Sequence, residues 1–330
     1  MRRFDIGRND GGQRVDKFVQ KTVWGLPPTL MYKYIRLKKI KVNGKRAQIN
    51  QMLEVGDYVE MYIPDEFFSK ETNSDEYANA KVRLDIAYED ENIIICDKKP
   101  GVLVHNGDEG DKADRDESER GTLLFSIKAY LYQNGEYKPE NENSFAPALC
   151  NRIDRNTGGL VIAAKNAAAL RAMNDLIRDG MIDKRYLCAV HGAPKPKSAV
   201  LHGYLFKNTK TKTVRIDEKQ TPGSKEAITE YKTIAYNDDL DVSLLEIKLH
   251  TGRTHQIRAH MASISHPLVG EGKYGNCQKD RQLGYKYQCL YSYGLTVAEN
   301  DGVLSYLSGK TVKANKDNIK FLSMFGSVKT

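Results

Sequence analysis

The sequence predicts an α+β protein: a mixed, largely antiparallel sheet with a small separate domain in front of it. Three observations point there. After residue 82, strand-like and helix-like segments mix without the regular β-α-β alternation that a parallel sheet requires. Residues 65–80, DEFFSKETNSDEYANA, are polar and net acidic, which reads as a linker too poor in apolar surface to order itself. The charge is also uneven: the net is +8 over 330 residues, yet residues 1–64 alone hold 13 Lys or Arg against 6 Asp or Glu, a net of +7. The expected division is therefore 1–64, a linker at 65–80, and a larger domain at 81–330.

In the first segment, QRVDKFVQKT places Val15, Phe18 and Val19 on one helical face. Pro27 and Pro28 suit a helix start, and Leu30, Met31, Tyr34 and Ile35 continue with one apolar side. KIKVNGKRA reads as a hairpin turning at Asn43-Gly44, and EVGDYVEMYI as a turn and a strand. Arg36, Lys38, Lys39, Lys41, Lys45 and Arg46 gather around the second helix and the hairpin, where they could follow a phosphate backbone.

In the larger domain, VRLDIAYEDENIIICDKKPGVLVH reads as strand, turn, strand, with Pro100-Gly101 as the bend. The stretch 108–120 carries seven acids against three bases and is expected to be a solvated loop. GTLLFSIKAYLYQN has helical spacing. Residues 166–180 form a second helix, with Asn166 as cap, Leu170, Met173, Leu176 and Ile177 as apolar face, and Gly180 as stop. DVSLLEIKLHTGRT alternates like a strand, and THQIRAHMASIS after it is helical in pattern.

Hydrophobic residues make up 40% of the chain, enough for a sizeable core. Five cysteines, at 96, 150, 188, 277 and 289, form no CxxC pair, against both a disulfide framework and a cysteine zinc site. The start, MRRFDIGRND, lacks the apolar stretch of a signal peptide, and no run reaches bilayer length. A cytoplasmic protein without a membrane partner is expected, and its basic surplus attracts polyanions, nucleic acid first.

The stretch NRIDRNTGGLVIAAKN, 151–166, sets Asp154 between Arg152 and Arg155, with Gly158-Gly159 and an apolar strand behind. Taken alone it describes an ion-paired turn residue as well as a catalytic acid. DKRYLCAVHG (183–192), HTGRTHQIRAH (250–260) and HPLVGEGKYG (266–275) shift that balance. In this order the four stretches resemble the RNA pseudouridine synthases, most closely the branch that modifies large-subunit ribosomal RNA. The likeness runs through most of residues 82–300, and TGRTHQIRAH is its most specific block. The usual pattern around the acid is His-Arg-Leu-Asp, two free positions, then Thr-Ser-Gly. This chain has Asn151 for the His, Ile153 for the Leu and Gly158 for the Ser. Residues 12–64, with RVDKF, YIRLKKIKVNGKRA and LEVGDYVEMY, are similar to the small RNA-binding domain first described in a ribosomal small-subunit protein, the S-four type or alpha-L motif.

The resemblance implies isomerisation of uridine to pseudouridine, in which uracil leaves C1′ of the ribose, turns, and rejoins through C5 without cofactor or metal. Asp154 matches the catalytic acid, as nucleophile at C1′ or as base toward C2′. Arg258 matches the arginine that pairs with it, and a cation there favours the charged carboxylate either role needs. Tyr186 matches the tyrosine that stacks on the flipped base and assists proton transfer from C5. Arg152 matches the residue that fills the space the base vacates. His255 and His260 lie five apart with no third ligand, so both are expected to be structural.

The expected partner is structured RNA, ribosomal first and transfer RNA second, bound by a monomer. Two other classes fit the sequence less well. A non-catalytic RNA-binding protein of ribosome assembly would share the basic first segment but gives no reason to keep an acid facing phosphates. A carboxylate glycosidase would need a second placed acid, and none stands out in these motifs.

Overall fold

A computed structural model describes residues 1–68, 74–105, 119–208, 211, 213–275, 278–282 and 284–326. The acidic stretch at 108–120 falls almost wholly outside the described residues.

The first 64 residues build a four-stranded sheet in the order Arg2–Asp5, Tyr58–Met61, Ile40–Val42, Lys45–Arg46. Two helices, Val15–Thr22 and Pro28–Arg36, cover it. Asn43 and Gly44 both take positive φ, as a two-residue hairpin turn requires. Val15, Phe18, Val19, Met31 and Ile35 from the helices close on Ile40, Val42, Val59 and Met61 from the sheet. Each such fully buried aliphatic or aromatic side chain contributes roughly 1.5–3 kcal/mol.

Of residues 65–80, the expected linker, 65–68 and 74–80 are described, and both pieces hold buried aromatic side chains. Asp65–Phe68 forms a short 3-10 helix whose Phe68 is buried in the N-terminal core. Ser74–Asn79 is helical, and Tyr77 packs against Phe125 and Tyr137 of the larger core. The aromatic residues supply the burial that the overall composition does not. The first 64 residues are also hydrogen-bonded to the rest of the chain. Asp10, 3% exposed, accepts from Asn143 Nδ2 (2.9 Å) and Ser144 Oγ (2.6 Å), and Asn9 Oδ1 accepts from Ala167 N (3.1 Å).

The larger sheet runs Thr213–Asp217, Ser198–Asn208, Lys225–Asn237, Val242–Leu249, Ile182–His191, Leu290–Val297, Gly158–Ala164, Ile93–Lys98, Ile86–Glu89, with Thr311–Lys313 and Ala148–Leu149 added beside this path. Among these, only Gly158–Ala164 beside Leu290–Val297 is a parallel pair. All seven residues of Gly158–Ala164 are buried, because the sheet is covered on both faces. Leu160 and Ile162 face one core, shared with the helix Ala167–Arg178. Val161 and Ala163 face the other, shared with Leu123–Gln133 and Gln256–Ser263. Asn166 caps its helix as expected, Oδ1 accepting from Ala169 N at 2.8 Å. Among the described residues no helix is long and apolar enough to cross a membrane.

Candidate active site

Asp154 lies in the loop that feeds the strand Gly158–Ala164, and the loop is tied at several points. Lys98, at the end of the neighbouring strand, is 2% exposed. Its Nζ donates to the carbonyls of Lys99 (3.0 Å), Val102 (2.9 Å) and Arg155 (2.9 Å). Burial lowers its pKa to about 7, the Asp154 charge pulling the other way. Thr157 N donates to Asp154 O at 3.0 Å, and Asn151 Oδ1 accepts from Ile162 N at 2.7 Å. Gly159, at φ +114°, sits so close to its neighbour that a Cβ there would fall 2.2 Å from Ser292 O, so only glycine passes.

Arg258 comes from the helix Gln256–Ser263, whose residues 256–261 are all buried. The loop before that helix is locked by Gln256. Its Oε1 accepts from Thr251 Oγ1 (2.8 Å) and Arg253 N (3.0 Å), and its Nε2 donates to Ile228 O (3.0 Å) and Thr229 Oγ1 (2.9 Å). Arg258 Nη1 donates to Asp154 Oδ2 at 2.9 Å. Its Nε and Nη2 grip both oxygens of Glu271 at 2.7 and 2.8 Å. Burial works against the charge of Arg258, but Glu271 and Asp154 outweigh it and raise the guanidinium pKa. Burial likewise opposes ionisation of Glu271, which is 0% exposed, and Arg258 overcomes it and holds the carboxyl below its usual range.

Tyr186 stands on Ile182–His191, beside a bulge against Leu290–Val297. It is 7% exposed, and burial, with the Asp154 charge acting in the same direction, pushes its pKa up to about 12. The phenol is therefore neutral at physiological pH. Asp154, Tyr186, Arg258 and the exposed Arg152 line one cavity of about 290 Å³, joined by Lys184, Arg253 and His255. That is at the small end of ligand sites, about 300–1,000 Å³. The walls carry four Lys or Arg around a single carboxylate, a match for a polyanion that brings one planar group inside.

The two histidines differ. His260 is structural: its Nδ1 meets Thr229 Oγ1 at 2.8 Å and it is 1% exposed. His255, expected to be structural as well, lines the cavity with Nε2 3.8 Å from Asp154 Oδ2. Helical spacing separates the two residues, and a left-handed backbone at His255 (φ 55°) turns it out of the helix that carries His260.

Arg36, Lys38, Lys39, Lys45 and Arg46 are exposed and Lys41 half-buried, all on the second helix, the turn after it and the hairpin rather than at the cavity. Lys39 lies over the Tyr34 ring (5.6 Å) and Lys41 over Tyr62 (5.1 Å). Sequence reasoning missed Lys98, Lys184 and Glu271. For Glu271 a signal existed, a lone acid among the glycines of HPLVGEGKYG. Lys98 sits in a run of two lysines that reads as solvated. Among the described residues no group of three or more His, Cys, Asp or Glu could hold a metal.

A family model described as RNA pseudouridylate synthase matches residues 92–263, which include Asp154, Tyr186 and Arg258. An uncharacterized RNA pseudouridine synthase of Mycoplasma genitalium is 32% identical over 89% of this chain and 88% of its own length. Ribosomal large subunit pseudouridine synthase C of Buchnera aphidicola is 32% identical over 86% of this chain and 84% of its own. Among solved structures, human RNA Pseudouridylate Synthase Domain Containing 4 superposes with a TM-score of 0.53 at 17% identity, over 76% of this chain and 94% of that one, a likeness of fold.

Proposed function

This chain belongs to the RNA pseudouridine synthase family, and on that premise we propose that it isomerises uridines of large-subunit ribosomal RNA with Asp154 as the catalytic carboxylate. The observation that carries the assignment is the Glu271–Arg258–Asp154 chain at the edge of the cavity. Glu271 engages two of the three guanidinium nitrogens, and the third donates to Asp154 Oδ2. The carboxylate is then held at a cavity wall by one oxygen, which suits either attack on C1′ or removal of the C2′ proton.

The isomerisation breaks the C1′–N1 bond, forms C1′–C5, moves the C5 proton to a base and returns a proton to N1. Nothing is oxidised or reduced. Tyr186 offers an aromatic face to the uracil and a neutral hydroxyl beside it. Arg152, exposed at the rim, is suited to enter the gap in the stem that the flipped base leaves.

Residues 1–64 serve in this reading as an RNA anchor of the S-four type, because they carry most of the surplus charge and present Arg36, Lys38, Lys39, Lys45 and Arg46 to solvent. The protein acts as a cytoplasmic monomer. The test is to map pseudouridine in total RNA from cells with the protein, without it, and with Asp154→Asn. Specific large-subunit sites should be lost in the second and third. Unchanged sites in the Asp154→Asn cells would sink the assignment.

A further inference from the structure

His255 is held by more than packing. Its Nδ1 lies 2.7 Å from Tyr274 Oη, and the two rings meet edge to face at 5.7 Å. Tyr274 Oη already accepts a hydrogen bond from Val214 N at 2.9 Å. The phenol has one proton to give, and its oxygen can accept from more than one donor. When that proton goes to His255 Nδ1, the imidazole hydrogen sits on Nε2, the nitrogen that faces Asp154. The Arg258 guanidinium lies over the Tyr274 ring, 5.5 Å from its centre. Burial lowers the His255 pKa to about 4, so the ring is uncharged at neutral pH and does not compete with Arg258 as a cation.

Arg258 and His255 both bear on Oδ2 of Asp154, at 2.9 and 3.8 Å. The second distance is too long for a hydrogen bond, and a shift of less than about 1 Å would make one. We propose that His255 is a positioning residue for Asp154: in the RNA-bound enzyme its Nε2–H closes onto Oδ2, leaving Oδ1 to face the ribose, while Tyr274 sets which imidazole nitrogen carries the hydrogen. Two directional donors on one oxygen fix the carboxylate plane, which a single guanidinium contact leaves free to rotate. The inference rests on the assignment of Asp154 as the catalytic acid.

The experiment measures release of tritium from C5-labelled uridine in large-subunit RNA, taken from cells lacking the protein, in single turnovers at saturating enzyme. His255→Leu keeps bulk and removes the donor. His255→Gln returns an N–H near the Nε2 position. Tyr274→Phe removes only the hydroxyl. The expected order is a fall of about 100-fold for Leu, recovery to within about 10-fold of the parent for Gln, and an intermediate loss for Phe, with RNA affinity unchanged throughout. Equal losses in Leu and Gln would reduce His255 to packing and overturn the proposal, as would a parental rate in Leu. Should His255→Leu not fold, a parental rate in Tyr274→Phe overturns it. Asp154→Asn is run alongside. Activity there removes the underlying assignment, whereas an inactive Asp154→Asn beside a fully active His255→Leu removes only the positioning role.

Discussion

Gly158 lies directly against the ring of Tyr291: a Cβ on Gly158 would stand 2.3 Å from Cε2 and 2.6 Å from Cδ2. The ring is not free to yield. Tyr291 is 2% exposed, and its Oη donates to Asp97 Oδ1 at 2.6 Å, while Asp97 Oδ2 accepts from Asn318 Nδ2 at 2.9 Å. The glycine that stands where the family pattern has serine is therefore coupled to a tyrosine 133 positions on.

Gly158→Ser should accordingly destabilise the protein by about 1–3 kcal/mol through overpacking. In a Tyr291→Leu background the same substitution should cost less, with a coupling of at least about 0.5 kcal/mol. Urea unfolding of the parent, both single variants and the double variant measures this. Strict additivity would show that the ring does not set the choice of glycine.

Glu271 and Asp154 share Arg258 but should divide in their effects. Glu271 is fully buried, and removing one partner of a buried pair costs about 3–5 kcal/mol. The Asp154 side chain is 18% exposed. Glu271→Gln should thus lose more stability than Asp154→Asn, yet retain measurable isomerisation, down by about 10- to 100-fold, where Asp154→Asn retains none. Denaturation midpoints and single-turnover rates of the two variants give the comparison. The reverse ranking in activity would make Glu271 the acid.

Burial lowers both His255 and His260 to about 4, against about 6.5 in an unfolded chain. Between those values the unfolded state binds protons that the folded state does not. The stability these residues allow is fully present above pH 6.5 and is lost as the pH falls toward 4. Each should contribute on the order of 3 kcal/mol to that loss. Urea midpoints at pH 7.5, 6 and 5 should fall, and fall less steeply for His260→Asn, which can keep a partner for Thr229. Parallel pH curves for the two proteins would contradict the burial of an uncharged His260.

How much of this was legible beforehand depended on distance along the chain. The helix at Ala167–Arg178 was readable because cap, apolar face and stop lie within fifteen residues. The Asn43-Gly44 hairpin was readable from its turn residues alone. The pairing of Asp154 with Arg258 followed only from resemblance, since 104 positions separate the two. Lys98 was hidden because its ammonium is solvated by three backbone carbonyls, and backbone acceptors leave no trace in side-chain pattern. Within 65–80, the burial of Phe68 and Tyr77 was not legible because composition averages over single side chains.

The contact between the first 64 residues and the rest changes what a flexible tether would predict. Asp10 accepts from Gly7 N, Asn143 Nδ2, Ser144 N and Ser144 Oγ, so the basic face and the cavity are held at a set spacing. Two variants of the full chain separate charge from spacing. Replacing Lys38, Lys39, Lys45 and Arg46 by Gln removes four exposed cations and touches neither the Asp10 contacts nor the cavity. Affinity for structured ribosomal RNA should fall, and the slope of log affinity against log salt should flatten by up to about 3, because fewer counterions are released. Asp10→Ala keeps the cations and loosens the docking, leaving the Asn9 and Gln13 contacts in place. Its salt slope should stay near the parent's, while affinity drops by about 10-fold as the effective concentration of the second site is diluted over more orientations. The single-turnover rate at saturation should hardly change in either. Filter binding at several salt concentrations decides between the two effects. A quadruple variant with the parental slope would show that the phosphate contacts lie elsewhere, and Asp10→Ala binding as tightly as the parent would show that the spacing carries no affinity.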